Sequence, residues 1–188
     1  MSFVQRRRFL WILFLMGLAL LAVAANATTL SRLRFEELVN QATAVARLRC
    51  IGAESRWENR EIWTETRFEI VEVNKGLLPG VISVRMLGGR IGSLHSRIDG
   101  VPAFRPGEEA YVFLWGHEGE PFRVLGWSQG TFRIARDPRT GMERVTQDSA
   151  AAPLFDPQTR RFRHGGIRNL PLAIFQLKLR KALEEKAP

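Results

Sequence analysis

Between Ile62 and Val73 the chain carries its clearest period-two segment, and this segment constrains the fold more than any other. Ile62, Thr64, Thr66, Phe68 and Ile70 fall on one face of an extended strand, with Glu65, Arg67 and Glu69 on the other. Such alternation marks a strand with one buried face. At Ile70-Val71 the parity slips, and Val71 and Val73 become the apolar positions. One extra residue in a long strand is a β-bulge, which bends the strand and lets a sheet curl towards a barrel.

Other strands are expected around this one. Ala46, Leu48 and Cys50 alternate with Arg47 and Arg49, giving a strand with a basic face, and the polar stretch Glu54–Arg60 reads as a turn. Val81–Leu87 places Ile82, Val84 and Met86 on one side. Ala110–Trp115 is an apolar run of strand length, buried on both faces. Phe122–Trp127, Thr131–Ala135 and a short Met142–Thr146 follow. Two helices flank the strands. The first is expected over Ser31–Ala42, capped by Thr29 or Ser31 and carrying Glu36 and Glu37 near its positive end. The second opens at Pro171 with a stripe of Leu172, Phe175, Leu179 and Leu183. The stretch Gln147–Gly166 reads as loop. The expected architecture is mainly β: a small curled sheet or OB-like barrel of about six strands with an N-terminal and a C-terminal helix.

The N-terminus has the parts of a secretory signal. Arg6, Arg7 and Arg8 precede an unbroken apolar run from Phe9 to Ala25, and Ala25-Asn26-Ala27 offers a cleavage site after Ala27. Residues 1–27 are thus expected to be a signal peptide, residues 28–146 a helix plus an OB-like β domain, and residues 147–188 a loop and a C-terminal amphipathic helix on the same domain. The expected destination is the periplasm or the extracellular space. The alternative is an inner-membrane protein anchored through an uncleaved N-terminal helix. Arg6-Arg7-Arg8-Phe9-Leu10 also fits the twin-arginine export motif, so the general and twin-arginine routes both stand. Removing the three arginines takes the formal charge from +9 to +6. A basic exported domain favours anionic partners and argues against nucleic acid. The single cysteine, Cys50, excludes an intrachain disulfide and is expected as a buried hydrophobe.

Several segments taken in order resemble a known family. Ala44-Val45-Ala46-Arg47-Leu48 is followed by Val71-Glu72-Val73-Asn74-Lys75-Gly76, then Val81-Ile82-Ser83-Val84, a Gly-rich loop, and Phe104-Arg105-Pro106-Gly107-Glu108 leading into Tyr111-Val112-Phe113-Leu114. This order resembles the OB-fold domain of the tissue inhibitors of metalloproteinases and the netrin-type modules. It also resembles bacterial exported proteins of unassigned function that share the Lys-Gly, Gly-Gly-Arg and Phe-x-x-Gly-Glu marks. The resemblance implies an OB-like fold over roughly residues 42–134. Those inhibitors chelate the protease metal through an N-terminal cysteine and carry disulfides, whereas a mature chain beginning Thr28-Thr29-Leu30 has neither.

The residues offer no catalytic set, metal set or cofactor motif. His95, His117 and His164 lie far apart, none with a ligand partner at helical spacing. Gly88-Gly89-Arg90-Ile91-Gly92-Ser93 lacks the spacing of a phosphate loop. Glu65, Glu69 and Glu72 read as a solvated strand face. The candidate binding element is the irregular stretch Arg90–Gly107, with Arg90, His95, Arg97 and Arg105, because long loops of compact domains carry function disproportionately. Trp57 and Trp63 flank a polar turn and are further binding candidates, while Trp115 and Trp127 are expected in the core. The expected function is a non-enzymatic binding module for a protein or an anionic envelope polymer, touching membrane only through the signal before cleavage. Two alternatives stand beside it: a secreted protease inhibitor or regulator of netrin-type fold, and a hydrolase with a site assembled around residues 90–107.

Overall fold

The computed structural model describes residues 30–117 and 119–185. The expected signal and its cleavage site at Ala27 lie outside them. Two strands dominate: β1 (Ala44–Glu58) and β2 (Glu61–Lys75), each 15 residues long. They join through Asn59-Arg60, whose φ values of 49° and 68° form a two-residue turn that matches the strand twist. The polar residues 54–58, expected as turn, are the solvated outer end of β1. They pair with residues 61–65 of β2.

The remaining strands of the main sheet are β3 (Val81–Leu87), β6 (Glu109–Trp115), β7 (Arg123–Val124), β8 (Thr131–Arg136), β9 (Glu143–Gln147) and β12 (Leu170–Pro171). The sheet is antiparallel in the order β12-β9-β8-β6-β1-β2-β3, with β7 paired to β6. Two small hairpins stand off it: β4 (Gly89–Ile91) with β5 (Leu94–Ser96), and β10 (Pro153–Asp156) with β11 (Arg161–His164). Both fall in stretches expected to lack strands: the first, apart from Gly89, in the irregular Arg90–Gly107, the second in the loop Gln147–Gly166. The expected strand Phe122–Trp127 is reduced to β7, because residues 127–130 wind into a short 3-10 turn.

The bulge is found where the parity slips. Arg47 faces Glu72 and Leu48 faces Ile70, which leaves Val71 as the extra residue of β2. A second shift lies between Cys50–Phe68 and Gly52–Arg67, with Ile51 extra on β1. The bulge does not turn the valines inward: Val71 and Val73 are each 42% exposed, and the buried set stays on the even positions. The sheet curls until Phe122 meets the outer edge of β3, giving its N–H to Ser83 O at 2.8 Å and accepting from Arg85 N–H at 2.7 Å. No barrel closes. That contact is a single bridge, and beyond β6 the sheet continues into β8, β9 and β12 instead of returning to β3.

Each face of the sheet buries its own core. The inside of the curl holds Ala46, Leu48, Cys50, Phe68, Val84 and Val112, covered by Phe104. The opposite face holds Val45, Tyr111, Phe113, Phe132 and Val145 under two helices, α1 (Phe35–Gln41) and α2 (Leu172–Glu184). Phe35 packs edge-on against Phe113, Phe132 and Phe175 at centroid distances of 5.8, 5.8 and 5.9 Å. Because β6 feeds both cores, its run reads as continuously apolar. Full burial of each such ring contributes roughly 1.5–3 kcal/mol.

The first helix is shorter than its pattern suggests. Phe155 N–H bonds Leu30 O at 3.0 Å and Arg32 N–H bonds Phe155 O at 2.8 Å, which draws residues 30–32 out as an extended segment beside β10. Glu37 then closes the helix start by accepting from Arg34 N–H at 2.7 Å. At its other end Lys75 Nζ donates to Val39 O at 2.6 Å and Ala42 O at 2.5 Å, so the Lys-Gly mark serves here to hold α1 onto the sheet. None of the described helices is long and apolar enough to cross a membrane.

Candidate functional site

The concave side of the curl opens beyond Phe104 into a groove of about 740 Å³. One wall is the outer half of the β1–β2 hairpin, with Ala53, Ser55, Thr64 and Thr66. The other is the irregular stretch and its β4–β5 hairpin, with Arg90, His95, Arg97 and Arg105. Arg133 and Asp148 line it as well.

The two glycines after β3 set the position of the second wall. Gly88 has φ 90° and Gly89 φ 139°, and a Cβ on Gly89 would fall 2.1 Å from Thr64 Oγ1 and 2.4 Å from Ser55 Oγ. Without side chains there, the β4–β5 hairpin lies directly on the β1–β2 wall. Thr64 donates to Gly88 O at 2.6 Å, and Ser55 and Thr64 share a hydrogen bond of 2.8 Å. Ser55 Oγ also accepts from Arg90 N–H at 3.2 Å. Arg90 is held further by a bond from Nε to Gly92 O at 3.0 Å.

Charge in the groove is one-sided. Asp148 is the one acid among its described lining residues, and Arg133 takes it with Nε at 2.9 Å. The same guanidinium bonds Glu108 at 2.5 Å and Ala103 O at 2.6 Å, and stacks 4.5 Å from the Phe104 ring. Arg133 therefore fastens residues 103–108 to the sheet and spends four of its five N–H donors inside the fold. Arg97 and Arg105 are exposed and form no salt bridge among the described residues. Two guanidinium groups at the rim thus keep their full capacity for an anionic group.

Thr66 lies in the β1–β2 wall. It is 1% exposed, and its hydroxyl has no hydrogen-bond partner among the described residues. Polar groups buried this deeply are normally paired, and one that is not, beside a groove, is a candidate ligand contact.

Four of the six expected binding residues, Arg90, His95, Arg97 and Arg105, line the groove together. The two tryptophans do not. Trp57, 54% exposed, shares the groove face but sits at the hairpin tip beyond Ser55. Trp63 is on the opposite face, where Arg85 lies 4.4 Å from its ring centroid and reaches Glu58 at 2.7 Å. Trp115, expected in the core, is 50% exposed. The three histidines lie on separate elements, and no group of His, Cys, Asp or Glu suited to a metal occurs among the described residues. Cys50 is 1% exposed in the core under the sheet, and burial pushes its thiol up.

The expected basic face of the first strand is neutralised. Arg47 bonds Glu109 and Glu143 at 2.6 and 3.1 Å, and Arg49 bonds Glu109 and Glu69 at 2.7 and 3.3 Å. Burial pushes the Glu109 carboxyl up, but the hydrogen bonds from Arg49 and Arg47 outweigh it and leave the group below its ordinary range. Unmatched cations therefore gather elsewhere, the groove rim among those places. Compared with protein-family models, curated proteins and solved structures, the chain matches none.

Proposed function

We propose that this chain is an exported, non-enzymatic binding module that holds an anionic envelope polymer in the groove between the β1–β2 hairpin and residues 90–105. The carrying observation is the charge of that groove. Arg97 and Arg105 stand unpaired at its rim, while its acid is taken by Arg133. A polymer with repeated carboxylate or phosphate groups suits an open groove rimmed by guanidinium groups better than a small ligand, which would call for an enclosed pocket.

A hydrolase site is the weaker reading of the same groove. Ser55 and Thr64 spend their hydroxyls on each other and on Gly88 O, so neither is presented to a base as a nucleophile. The netrin-type likeness stays a reading of the curl: a long bulged hairpin, β3, and a late strand that reaches back towards β3 support an OB-like ancestry. Export rests on the expected signal in residues 1–27.

The test is a titration of the protein with polyphosphate, polygalacturonate and polyglutamate at low and physiological salt. Binding to polyphosphate or polygalacturonate that weakens with salt and is lost in R97E/R105E is the expected result. Binding that survives the double charge reversal would move the site away from the groove. Preference for polyglutamate would favour an acidic protein over an envelope polymer.

A further inference from the structure

A second concentration of positive charge lies on the β10–β11 hairpin. β11 reads Arg161-Phe162-Arg163-His164, follows Arg160, and is exposed along its whole length. Phe162 is 62% exposed although its ring stands 5.6 Å from that of Phe155. Asp156 is the acid beside it. Its carboxylate accepts from the N–H groups of Gln158 and Thr159 at 2.9 and 3.2 Å, with Arg163 at 3.6 Å and Arg32 at 3.9 Å. Arg160 and Arg161 form no salt bridge among the described residues.

An exposed aromatic ring set among arginines suits a boundary where an apolar layer lies beneath a negatively charged one. The chain path points the same way. The outer edge of β10 pairs with Leu30 and Arg32, so the described chain begins beside this hairpin, five residues after the apolar run Phe9–Ala25 ends in the sequence. Ala25 and Leu30 are separated by five residue steps, and an extended chain covers at most about 3.6 Å per residue, roughly 18 Å in all. While that run occupies a bilayer, as a signal before cleavage or as an anchor, Leu30 stays within this reach of it. An acidic protein would match the arginines but would leave the short chain distance from Leu30 to the apolar run without a role.

We propose that the β10–β11 hairpin docks on the anionic surface of a lipid bilayer, with Phe162 in the headgroup layer and Arg160, Arg161 and Arg163 facing lipid phosphates. This docking does not rest on the groove: loss of polyanion binding in R97E/R105E leaves it intact.

The test uses the full chain in vesicles of phosphatidylcholine alone or mixed with phosphatidylglycerol. An environment-sensitive fluorophore is placed through F162C, or through L77C at the 98% exposed Leu77 as a control, while the buried Cys50 stays unlabelled under native conditions. The probe at position 162 is expected to shift to the blue in the anionic vesicles only. That shift should be reversed by salt and lost in the R160E/R161E background, and the probe at position 77 should read the same in both lipids. Equal emission at position 162 in the two lipids would overturn the proposal. A shift caused by soluble polyglutamate but not by phosphatidylglycerol would also overturn it, in favour of an acidic protein partner.

Discussion

Replacing Thr66 by valine tests the groove wall most directly. Thr66 faces Ala53 on β1 and Val84 on β3, with Phe68 next on the same face, so its surroundings are largely apolar. Burying a hydroxyl without a partner costs about 1–3 kcal/mol, and an apolar group of the same shape avoids that cost. T66V keeps the volume, opens no cavity and suits the strand. It should therefore raise stability by about 1 kcal/mol, or the melting temperature by roughly 2–4 °C for a domain of this size. Thr64, two positions away on the same face, provides the contrast. Its hydroxyl donates to Gly88 O at 2.6 Å and bonds Ser55 at 2.8 Å, so T64V strands both partners and should lower stability by about 1–3 kcal/mol. Urea unfolding followed by tryptophan fluorescence reads both effects. Binding reads the third. If a polyanion segment supplies the partner that Thr66 lacks, T66V loses one hydrogen bond of about 1 kcal/mol, roughly fivefold in affinity. A T66V protein less stable than the parent, at unchanged denaturant slope, would refute the reasoning. An unchanged affinity would remove Thr66 from the site.

G89A should be severely destabilising, by roughly 2 kcal/mol or more, because its φ of 139° disfavours a side chain and its Cβ would fall on the Ser55–Thr64 pair; loss of protease resistance in residues 89–96 would show the hairpin lifting away, and a stability equal to the parent's would contradict this. Burial pushes the Tyr111 hydroxyl up to about 12; the bond from Gln176 Nε2 at 3.0 Å opposes the rise, and the bond donated to Glu72 at 3.1 Å adds to it. An acid whose folded value is raised deprotonates first in the unfolded chain, so stability should fall as pH climbs from about 10 to about 12. Urea midpoints across that range should show a shallower fall in Y111F, and identical slopes would exclude Tyr111 as the source.

The strands were legible wherever one face is buried. Ile82, Val84 and Met86 alternate because only one side of β3 meets the core, and the bulge at Val71 showed as a slip in the same signal. The signal failed where burial does. β11 is exposed on both faces, so it has no period, and the outer end of β1 looked like a turn for the same reason. Helix α1 lost its first turn to hydrogen bonds with Phe155, more than a hundred positions away, which no local pattern records.

The site was half legible on the same grounds. The composition of residues 90–107 singled out three arginines and a histidine that do share a groove, because a long stretch pinned at both ends of a curled sheet has to cross its concave side. Thr64 and Thr66 were placed on the correct face, but a one-dimensional pattern gives them the same role. What separates them is whether Gly88 O lies within reach, and that depends on how the chain kinks after β3. Net charge poses the same problem on a larger scale. Arg47 and Arg49 look as available as Arg97 and Arg105 until pairing between β1 and β6 brings Glu109 against them. The strand register therefore decides which cations are spent inside the fold. The cations that form no salt bridge among the described residues include Arg97 and Arg105 on the groove rim, and Arg160 and Arg161 on the hairpin, where Asp156 opposite Arg161 is held by Gln158, Thr159 and Arg163 instead. That is the physical ground for seeking the partners of this domain at those two places and not along its basic-looking first strand.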